Sequence, residues 1–234
     1  MKESILLLTL FALLGMPLPL AAQQTPSHAD IIYMYRMNQG VTTQQSSRAK
    51  IKSLVQTMQR HHPYSYISVF SEVSNPANYV AIITDRNRDE IEGAGWTNNF
   101  LGHYTDAYPS ARTFVLDSSL LLGQSRLNAS QSTFIEIEHV DSDPKKREAN
   151  LPVFQQLQKL LKQQPGFRDL QVWTWNERTN HWTVIEVWES KEDSQRAAMN
   201  PSVIQLWDKL YGNAAAPNSL AQYELIEAAK PTKQ

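Results

Sequence analysis

The sequence predicts an α+β fold of two consecutive units, each with the element order β-α-β-β-α-β. Apolar residues switch between the period of 2 typical of strands and the period of 3.6 typical of helices, and this order of elements occurs twice. Three landmarks recur at nearly constant offsets: Ile31 to Ile135 is 104 residues, Pro63 to Pro165 is 102, and Tyr79 to Trp182 is 103. The constant offset indicates an internal duplication, and each copy matches the split βαβ, or ferredoxin-like, unit.

The first predicted unit covers residues 29–117. Its elements are a strand (31–37), a helix with Ile51, Leu54, Val55 and Met58 on one face, two hairpin strands (64–73 and 78–84), a weakly helical or irregular stretch (89–104) and a short strand (112–116). A four-residue turn, 74–77, separates the hairpin strands. The histidine pair His61-His62 is expected to cap the end of the helix, where a cation is favoured.

A predicted linker, 118–131, leads to the second unit, 132–228, which a short flexible tail, 229–234, follows. The elements of this unit are a strand (133–140), a helix with Phe154, Leu157, Leu160 and Leu161 on its apolar stripe, a hairpin (170–177 and 181–189), a helix capped by Ser190, and a last strand (220–227). Asp143-Pro144 is typical of a helix start. Because Pro152 interrupts the pattern, we expect a bend there or a proper start near Leu151.

Composition excludes several classes of function. The 234 residues hold 22 Lys+Arg and 23 Asp+Glu, a net charge of −1, so the chain lacks the basic footprint of a nucleic-acid binder. Zero Cys excludes disulfides, Cys-ligated metal centres and thiol catalysis. No His, Asp or Glu spacing is typical of a metal site, so we expect no metal.

The first 22 residues predict a secretory signal peptide. Lys2 precedes an apolar run from Ile5 to Gly15, and two prolines lead to the small pair Ala21-Ala22. The run is about half of the roughly 20 residues that a membrane-spanning helix needs, which favours cleavage over a retained anchor. We expect an exported mature chain, periplasmic or extracellular, without a membrane attachment after cleavage.

Motifs of the second unit resemble a known superfamily. Pro165-Gly166-Phe167 follows the first helix, the run Val184-Ile185-Glu186-Val187-Trp188-Glu189-Ser190 ends a strand, and Asn200-Pro201-Ser202 breaks the last helix before Val203–Leu210. Over roughly residues 133–228 this pattern resembles the antibiotic biosynthesis monooxygenase (ABM) superfamily of dimeric α/β barrels. The first unit has the same order of elements but carries Pro63-Tyr64 in place of Pro-Gly.

This resemblance implies how the units pack. Superfamily members usually pair two such units, sheet against sheet, as a homodimer. Two units in one chain therefore imply an intrachain pseudo-dimeric α/β barrel, so we expect a monomer that is itself a pseudo-dimer, or else a homodimer. The physical reason is that a sheet covered by helices on one face has a second apolar face to bury.

The resemblance also implies a range of chemistry. The superfamily includes cofactor-independent oxygenases of aromatic quinols, haem-degrading enzymes and proteins without a known reaction. In the oxygenases a pocket between sheet and helices orients and deprotonates the substrate, which itself reacts with oxygen. A helix of the family often carries a His soon after the Glu-x-Trp strand, whereas this chain has Ala197-Ala198-Met199-Asn200 there.

Two histidines and one glutamate are the candidate polar residues. His139 shares a strand face with Ile135 and Ile137, so it is either a base or ligand in a pocket or a strand-end histidine bonded locally. His103, in a Gly-containing stretch, either lines a first-unit pocket or lies on a surface loop. Glu186 alternates with apolar residues on its strand, so it is either a buried general base or a residue that meets an Arg or water.

The tryptophans are concentrated in the second unit. Trp173 shares a strand face with Trp175, and Trp188 lies on the next strand, with Trp207 on a helix. They either form core packing or line a pocket for a planar ligand, and Asn176 is a candidate hydrogen-bonding residue there.

Three functions are left open. The first is an exported ABM-like protein that binds a small apolar or aromatic molecule, as a cofactor-independent monooxygenase with His139 and Glu186 as catalytic residues. The second is a non-catalytic binding or structural protein. The third is haem binding or degradation, with His103 and His139 as candidate ligands; otherwise no cofactor is expected.

Overall fold

A computed structural model describes the chain in segments. These are residues 31–38, 51–53, 55–57, 59–60, 66–76, 78–85, 112–114, 118–124, 127, 129, 133–175, 178–230 and 232. The predicted signal peptide and the stretch 89–104 lie outside the described residues, as do His103 and Asn176.

The described residues contain nine strands, three long helices and a helical segment within 51–60. The strands are β1 (Ile31–Asn38), β2 (Tyr66–Glu72), β3 (Asn78–Asp85), β4 (Arg112–Phe114), β5 (Ser118–Leu122), β6 (Phe134–Asp141), β7 (Phe167–Trp175), β8 (His181–Trp188) and β9 (Ser219–Ala229). The helices are α1 (Arg147–Leu161), α2 (Lys191–Ala198) and α3 (Pro201–Gly212).

The strands form one sheet in the order β4-β1-β3-β2-β9-β6-β8-β7-β5, with antiparallel neighbours. The sheet contains two groups of four strands, β4-β1-β3-β2 and β9-β6-β8-β7. If the strands of each group are numbered in chain order, both groups have the order 4-1-3-2. This is the order of a ferredoxin-like sheet. The predicted α+β ferredoxin-like fold is therefore confirmed.

Side chains along the strands of the second unit alternate between the two faces of the sheet, and each face contributes to its own hydrophobic core. Even-numbered residues of β6 and β8, such as Phe134 and Trp188, pack under the three helices, where Phe154 and Leu206 meet them. Odd-numbered residues of the same strands face the other way, and their core also contains residues of β2 and β3. That second core consists of Phe70, Val80, Ile82, Leu127, Ile135, Ile137, Trp173, Ile185, Val187 and Tyr223.

Helix α1 begins earlier than the sequence predicted. It starts at Arg147, and Pro152 lies inside it on the exposed side. Solvent on that side can satisfy the carbonyl that loses its N–H partner, so the proline does not delay the helix. Asp143 does not cap α1 either, because its carboxylate accepts a 2.9 Å hydrogen bond from the N–H of Lys145 in the turn before the helix.

The predicted linker also needs correction, because its first part is strand β5. Residues of β5 pair with β7 from Ser118 opposite Trp175 to Leu122 opposite Val172. Backbone groups at the free edge of β7 need hydrogen-bond partners, and the chain leaving the first unit supplies them. Gly123 ends the strand at φ 97°, a backbone conformation that favours glycine.

Helix α2 begins where the sequence predicted, and α3 begins at Pro201, inside the predicted break 200–202. Ser190 caps α2 by accepting a 3.2 Å hydrogen bond from the N–H of Asp193, and Asn200 caps α3 by accepting one of 3.0 Å from the N–H of Ser202. Pro201 occupies the first turn of α3. The break between the two helices is therefore a cap followed by a proline, and it lets both helices lie across β6 and β8.

The helices of the described segments are too short or too polar to cross a bilayer as a membrane span.

Candidate functional site

A cavity of about 290 Å³ lies between the second-unit sheet and helices α2 and α3. We call it the glutamate cavity, after Glu136, Glu138 and Glu186 in its floor. The remaining lining residues are Leu161, Val184, Ser194, Ala197, Ala198, Val203, Ile204, Trp207, Asp208, Tyr211, Leu220 and Gln222. The volume is close to the lower end of the range for small-molecule sites, about 300–1,000 Å³.

The pairing of β6 with its neighbours brings the carboxyl groups together. Glu136 lies directly opposite Glu186 on β8 and opposite Gln222 on β9, and Glu138 lies one pleat further along the same face. Side chains directly opposite each other on antiparallel strands have Cβ atoms about 5 Å apart. A like charge at that separation disfavours the ionisation of Glu186.

Glu186 is buried, with an exposed fraction of 7%. Its Oε2 atom accepts a 3.1 Å hydrogen bond from the indole N–H of Trp188, and Trp207 donates a second one. Burial, and after it the charges of Glu136 and Glu138, raise the pKa of Glu186 to about 8, although the two indole hydrogen bonds act in the opposite direction. Glu186 therefore holds a proton at pH 7 and can exchange it near neutral pH.

Glu138 has an exposed fraction of 5% and meets the phenol of Tyr211 across the cavity. Its pKa is raised to about 7, mainly by burial; the hydrogen bond from Tyr211 acts in the opposite direction, and the charge of Glu136 adds to the rise. Burial and the neighbouring carboxylates raise the pKa of Tyr211, so its hydroxyl stays protonated and donates. Glu136 accepts a 2.6 Å hydrogen bond from Nε2 of Gln222.

The wall opposite the glutamates is mostly apolar. Ala197 and Val203 are buried there beside Ser194, whose hydroxyl is buried and makes no hydrogen bond. At the mouth, Trp207 and Tyr211 stack with ring centroids 5.5 Å apart. Two more apolar side chains of the lining are exposed, Ile204 and Leu220. An exposed apolar rim around a partly polar floor is suited to a small molecule that is largely apolar.

The turn Pro165-Gly166 positions helix α2 against the cavity. Gly166 adopts φ 73°, and a Cβ atom at this residue would overlap the carboxylate of Asp193. Asp193 belongs to the cap of α2, since the hydroxyl of Ser190 donates to its carboxylate at 2.6 Å. The Pro-Gly motif therefore has a physical role, which is to let the turn touch the start of the helix that carries Ser194.

The predicted tryptophans separate into two groups. Trp207 lines the glutamate cavity, and Trp188 lies fully buried behind Glu186, to which it donates. Trp173 and Trp175 are on the opposite face of the sheet. The cause is the two-residue period of the strand, because beyond the bulge at 167–169 the odd-numbered residues of β7 point away from the helices. Trp173 and Trp175 therefore cannot touch a ligand in this cavity.

His139 also lies on the opposite face, so it does not share a site with Glu186. Its Nδ1 atom is 3.2 Å from the hydroxyl of Thr183, and its ring stacks on that of His181 at 5.8 Å. Trp175 packs on His181 at 4.1 Å. Burial lowers the pKa of His181, Asp141 raises it and the charge of Arg178 lowers it. These groups form a local cluster at one end of the sheet.

Several residues of the cavity had no role in the prediction from sequence. Glu136 and Glu138 alternate with Phe134 and Val140 on one face of β6, and two carboxylates on the apolar face of a strand are a usable signal for a site. Ser194 gives no such signal, because a serine in a polar helix is common.

Residues 133–203 match the model of the family "Antibiotic biosynthesis monooxygenase". The resemblance predicted from the motifs of the second unit is therefore confirmed, and the matched segment contains Glu136, Glu138, Glu186 and Ser194. No curated protein matches the chain by sequence.

Solved structures similar to this chain are low in sequence identity. A monooxygenase candidate of Fusobacterium nucleatum subsp. nucleatum has a TM-score of 0.70 at 9% identity, over 87% of this chain and 95% of its own. An anthrone oxidase-like protein has a TM-score of 0.68 at 12% identity, over 89% and 95%. A monooxygenase candidate of Lactobacillus acidophilus has 0.65 at 10%, over 87% and 97%. These similarities establish the fold across both units.

Proposed function

We propose that the chain binds a small, largely apolar or aromatic molecule in the glutamate cavity and acts on it as a cofactor-independent monooxygenase. The observation that carries the proposal is Glu186, a buried carboxyl group in the cavity with a pKa of about 8. A general acid or base is most effective when its pKa lies near the working pH. The family match over 133–203 supports the reaction class.

In the proposed reaction Glu186, in its ionised form, takes the proton of an aromatic hydroxyl group of the substrate. The resulting phenolate is electron-rich enough to reduce O₂ directly. The phenolate becomes a quinone: the ring C–H opposite the hydroxyl becomes C=O with one oxygen atom of O₂, and the other oxygen atom leaves as water with the ring hydrogen and the hydroxyl proton. The substrate supplies all four electrons, so the protein needs only to bind, orient and deprotonate it.

Oxygen consumption with a panel of hydroxyaromatic compounds tests this proposal. We expect one O₂ per substrate oxidised, and a loss of about a hundredfold or more in kcat for Glu186→Gln. His139→Ala and Glu148→Gln are the controls, because His139 lies on the other face of the sheet and Glu148 is exposed on α1. A Glu186→Gln protein with undiminished turnover would refute the role of the carboxyl group.

A non-catalytic binding protein is the second candidate, and one observation favours it. Among the described residues that line the cavity, none is Lys, Arg or His. The site thus offers no protein cation to stabilise a phenolate. Ligand binding without oxygen uptake across the panel would favour this second function over the first.

Haem does not fit the described residues of the cavity. The floor consists of carboxyl groups, and His139 lies beyond the sheet, so no described imidazole reaches the cavity as an axial ligand. Haem titration tests this alternative, and a Soret shift that His139→Ala abolishes would revive it.

We also propose that the two units close into an intrachain pseudo-dimeric barrel. Strand β9 pairs with β6 through Ser219–Glu224 and with β2 through Tyr223–Ala229. Strands β4 and β5 follow one another in the chain, and they also connect the two units: β4 pairs with β1 of the first unit, and β5 pairs with β7 of the second. This equivalence supports the closure, and the core shared by β2, β3 and the second unit supports it further. Light scattering should give a monomer.

Export is a further part of the proposal. It rests on the apolar run at Ile5 to Gly15 followed by Ala21-Ala22. Mass spectrometry of the protein from the secreting cell should give a mature chain that begins at Gln23.

A further inference from the structure

We propose that the ligand of the glutamate cavity carries a protonated amine on its small apolar or aromatic body. The inference rests on the proposed function, because it takes the cavity as the ligand site, and it adds the charge of the ligand. Three features surround the same space: the carboxyl groups of Glu136, Glu138 and Glu186, an unpartnered buried hydroxyl, and a stacked aromatic pair.

Among the described residues of the cavity, the partners of the three carboxyl groups are neutral. Gln222 donates to Glu136, Tyr211 to Glu138, and the two indoles to Glu186. These donors satisfy oxygen lone pairs but do not neutralise charge. A cation from the ligand would form charge-assisted hydrogen bonds, which are about twice as strong as neutral ones. Anionic ligands would be repelled by the same groups.

Ser194 is an independent observation that points to a ligand. Its side chain is 2% exposed, its Oγ atom has no hydrogen-bond partner, and it lines the cavity on the wall opposite the glutamates. A buried polar group without a partner is costly, so native proteins rarely retain one without a role. An ammonium group has three N–H donors, enough to reach a carboxylate and the hydroxyl oxygen of Ser194 together.

The aromatic pair and the cavity volume define the rest of the ligand. The faces of Trp207 and Tyr211 attract a cation, and they also pack on an apolar ring. A cavity of about 290 Å³ limits the body to about one ring with a short chain. A metal ion is a poorer occupant, because the described residues contain no cluster of three or more His, Asp or Glu side chains placed to hold one.

The amine would also complete the proposed chemistry. A phenolate formed by Glu186 lies beside two further carboxyl groups and lacks a protein cation among the described lining residues. An ammonium group on the substrate places a positive charge within the same cavity. The positive charge of the ligand thus stabilises the phenolate in place of a cationic side chain, which the described lining residues do not supply.

Isothermal titration calorimetry of the full chain with three probes of matched shape tests the inference. They are 2-phenylethylammonium, 2-phenylethanol and phenylacetate, which are cationic, neutral and anionic. We expect the amine to bind at least about tenfold more tightly than the alcohol, and phenylacetate to bind most weakly. Equal or tighter binding of the alcohol would refute the proposal that the ligand carries an amine, while the cavity would still be a small-molecule site. If none of the probes bound, the proposal of an amine-bearing ligand would be refuted. The oxygen-consumption assay would test the proposed function separately.

Substitutions in the cavity test whether the preference for the amine over the alcohol arises from its lining residues. Glu138→Gln and Ser194→Ala should each lower the affinity for the amine several-fold and leave the alcohol unchanged. Glu148→Gln, which removes an exposed carboxylate from α1, is the matched control and should change neither. If Glu138→Gln fails to fold by circular dichroism, Glu136→Gln replaces it. An unchanged preference for the amine in both cavity variants would refute the assignment.

Discussion

The buried carboxyl of Glu186 makes the stability of this protein depend on pH. Its pKa rises from 4.5 to about 8 on folding, so between these values the folded state keeps a proton that the unfolded state releases. Stability is therefore complete below about pH 4.5 and falls as the pH rises towards 8. Each pKa unit is worth about 1.4 kcal/mol, which gives at most about 5 kcal/mol for Glu186 at pH 9.

Glu186→Gln should remove this dependence. Gln has the shape of a protonated Glu, and its carbonyl oxygen can still accept from the indole of Trp188. We expect the difference in the free energy of unfolding between variant and wild type to grow by about 3–5 kcal/mol from pH 5 to pH 9 in favour of the variant. This is a large fraction of the about 5–15 kcal/mol that stabilises a typical domain.

Urea denaturation followed by circular dichroism at pH 5, 7 and 9, at constant ionic strength, measures this difference. Glu148→Gln, with the same change in charge on the exposed side of α1, should lose stability with pH as the wild type does. Glu138, with a pKa of about 7, adds a smaller loss in the same direction to all three proteins. Parallel pH profiles for wild type and Glu186→Gln would refute the reasoning.

Three further predictions concern the supports of the site. Gly166→Ala should destabilise the protein by about 1–3 kcal/mol in urea denaturation, because the residue is at positive φ and its new methyl group meets Asp193; an unchanged midpoint would contradict this. Asn150→Ala should cost about 2–3 kcal/mol, since its buried amide bridges Ser142 at 2.5 Å and Asn213 at 2.8 Å; a loss below 0.5 kcal/mol would be inconsistent with that bridge. Tyr211→Phe should raise the pKa of Glu138 further in an NMR carboxyl titration, because the hydroxyl of Tyr211 lowers it, and a fall would show that the bond is absent.

The order of the elements could be predicted from the sequence because hydrophobic periodicity and the residues that begin and end helices are local properties. Ser190 and the Asn200-Pro201 pair form caps from hydrogen bonds within three residues, and the structure contains both. The interpretation of 118–122 as part of a linker is wrong for the opposite reason. Whether Ser118–Leu122 forms a strand depends on the free edge of β7, which lies about 50 residues away in the chain.

The site was only partly readable. Glu186 stands out from an apolar strand, and the structure places it in the cavity. His139 is the other catalytic candidate from the sequence, yet it and Glu186 face opposite sides of the sheet. Which face of β6 meets the helices depends on how β8 and β9 flank it, and this pairing cannot be read from the alternation alone.

The sequence by itself determined the ferredoxin-like α+β fold, the cap of α2 and the family resemblance of the second unit. Only the tertiary structure decided that Glu136, Glu138, Glu186 and Ser194 meet around one cavity and that Trp173, Trp175 and His139 do not. Local hydrogen bonds and periodicity fix what each segment becomes. Desolvation and charge repulsion, which give the glutamates their chemistry, arise only where distant segments exclude water together.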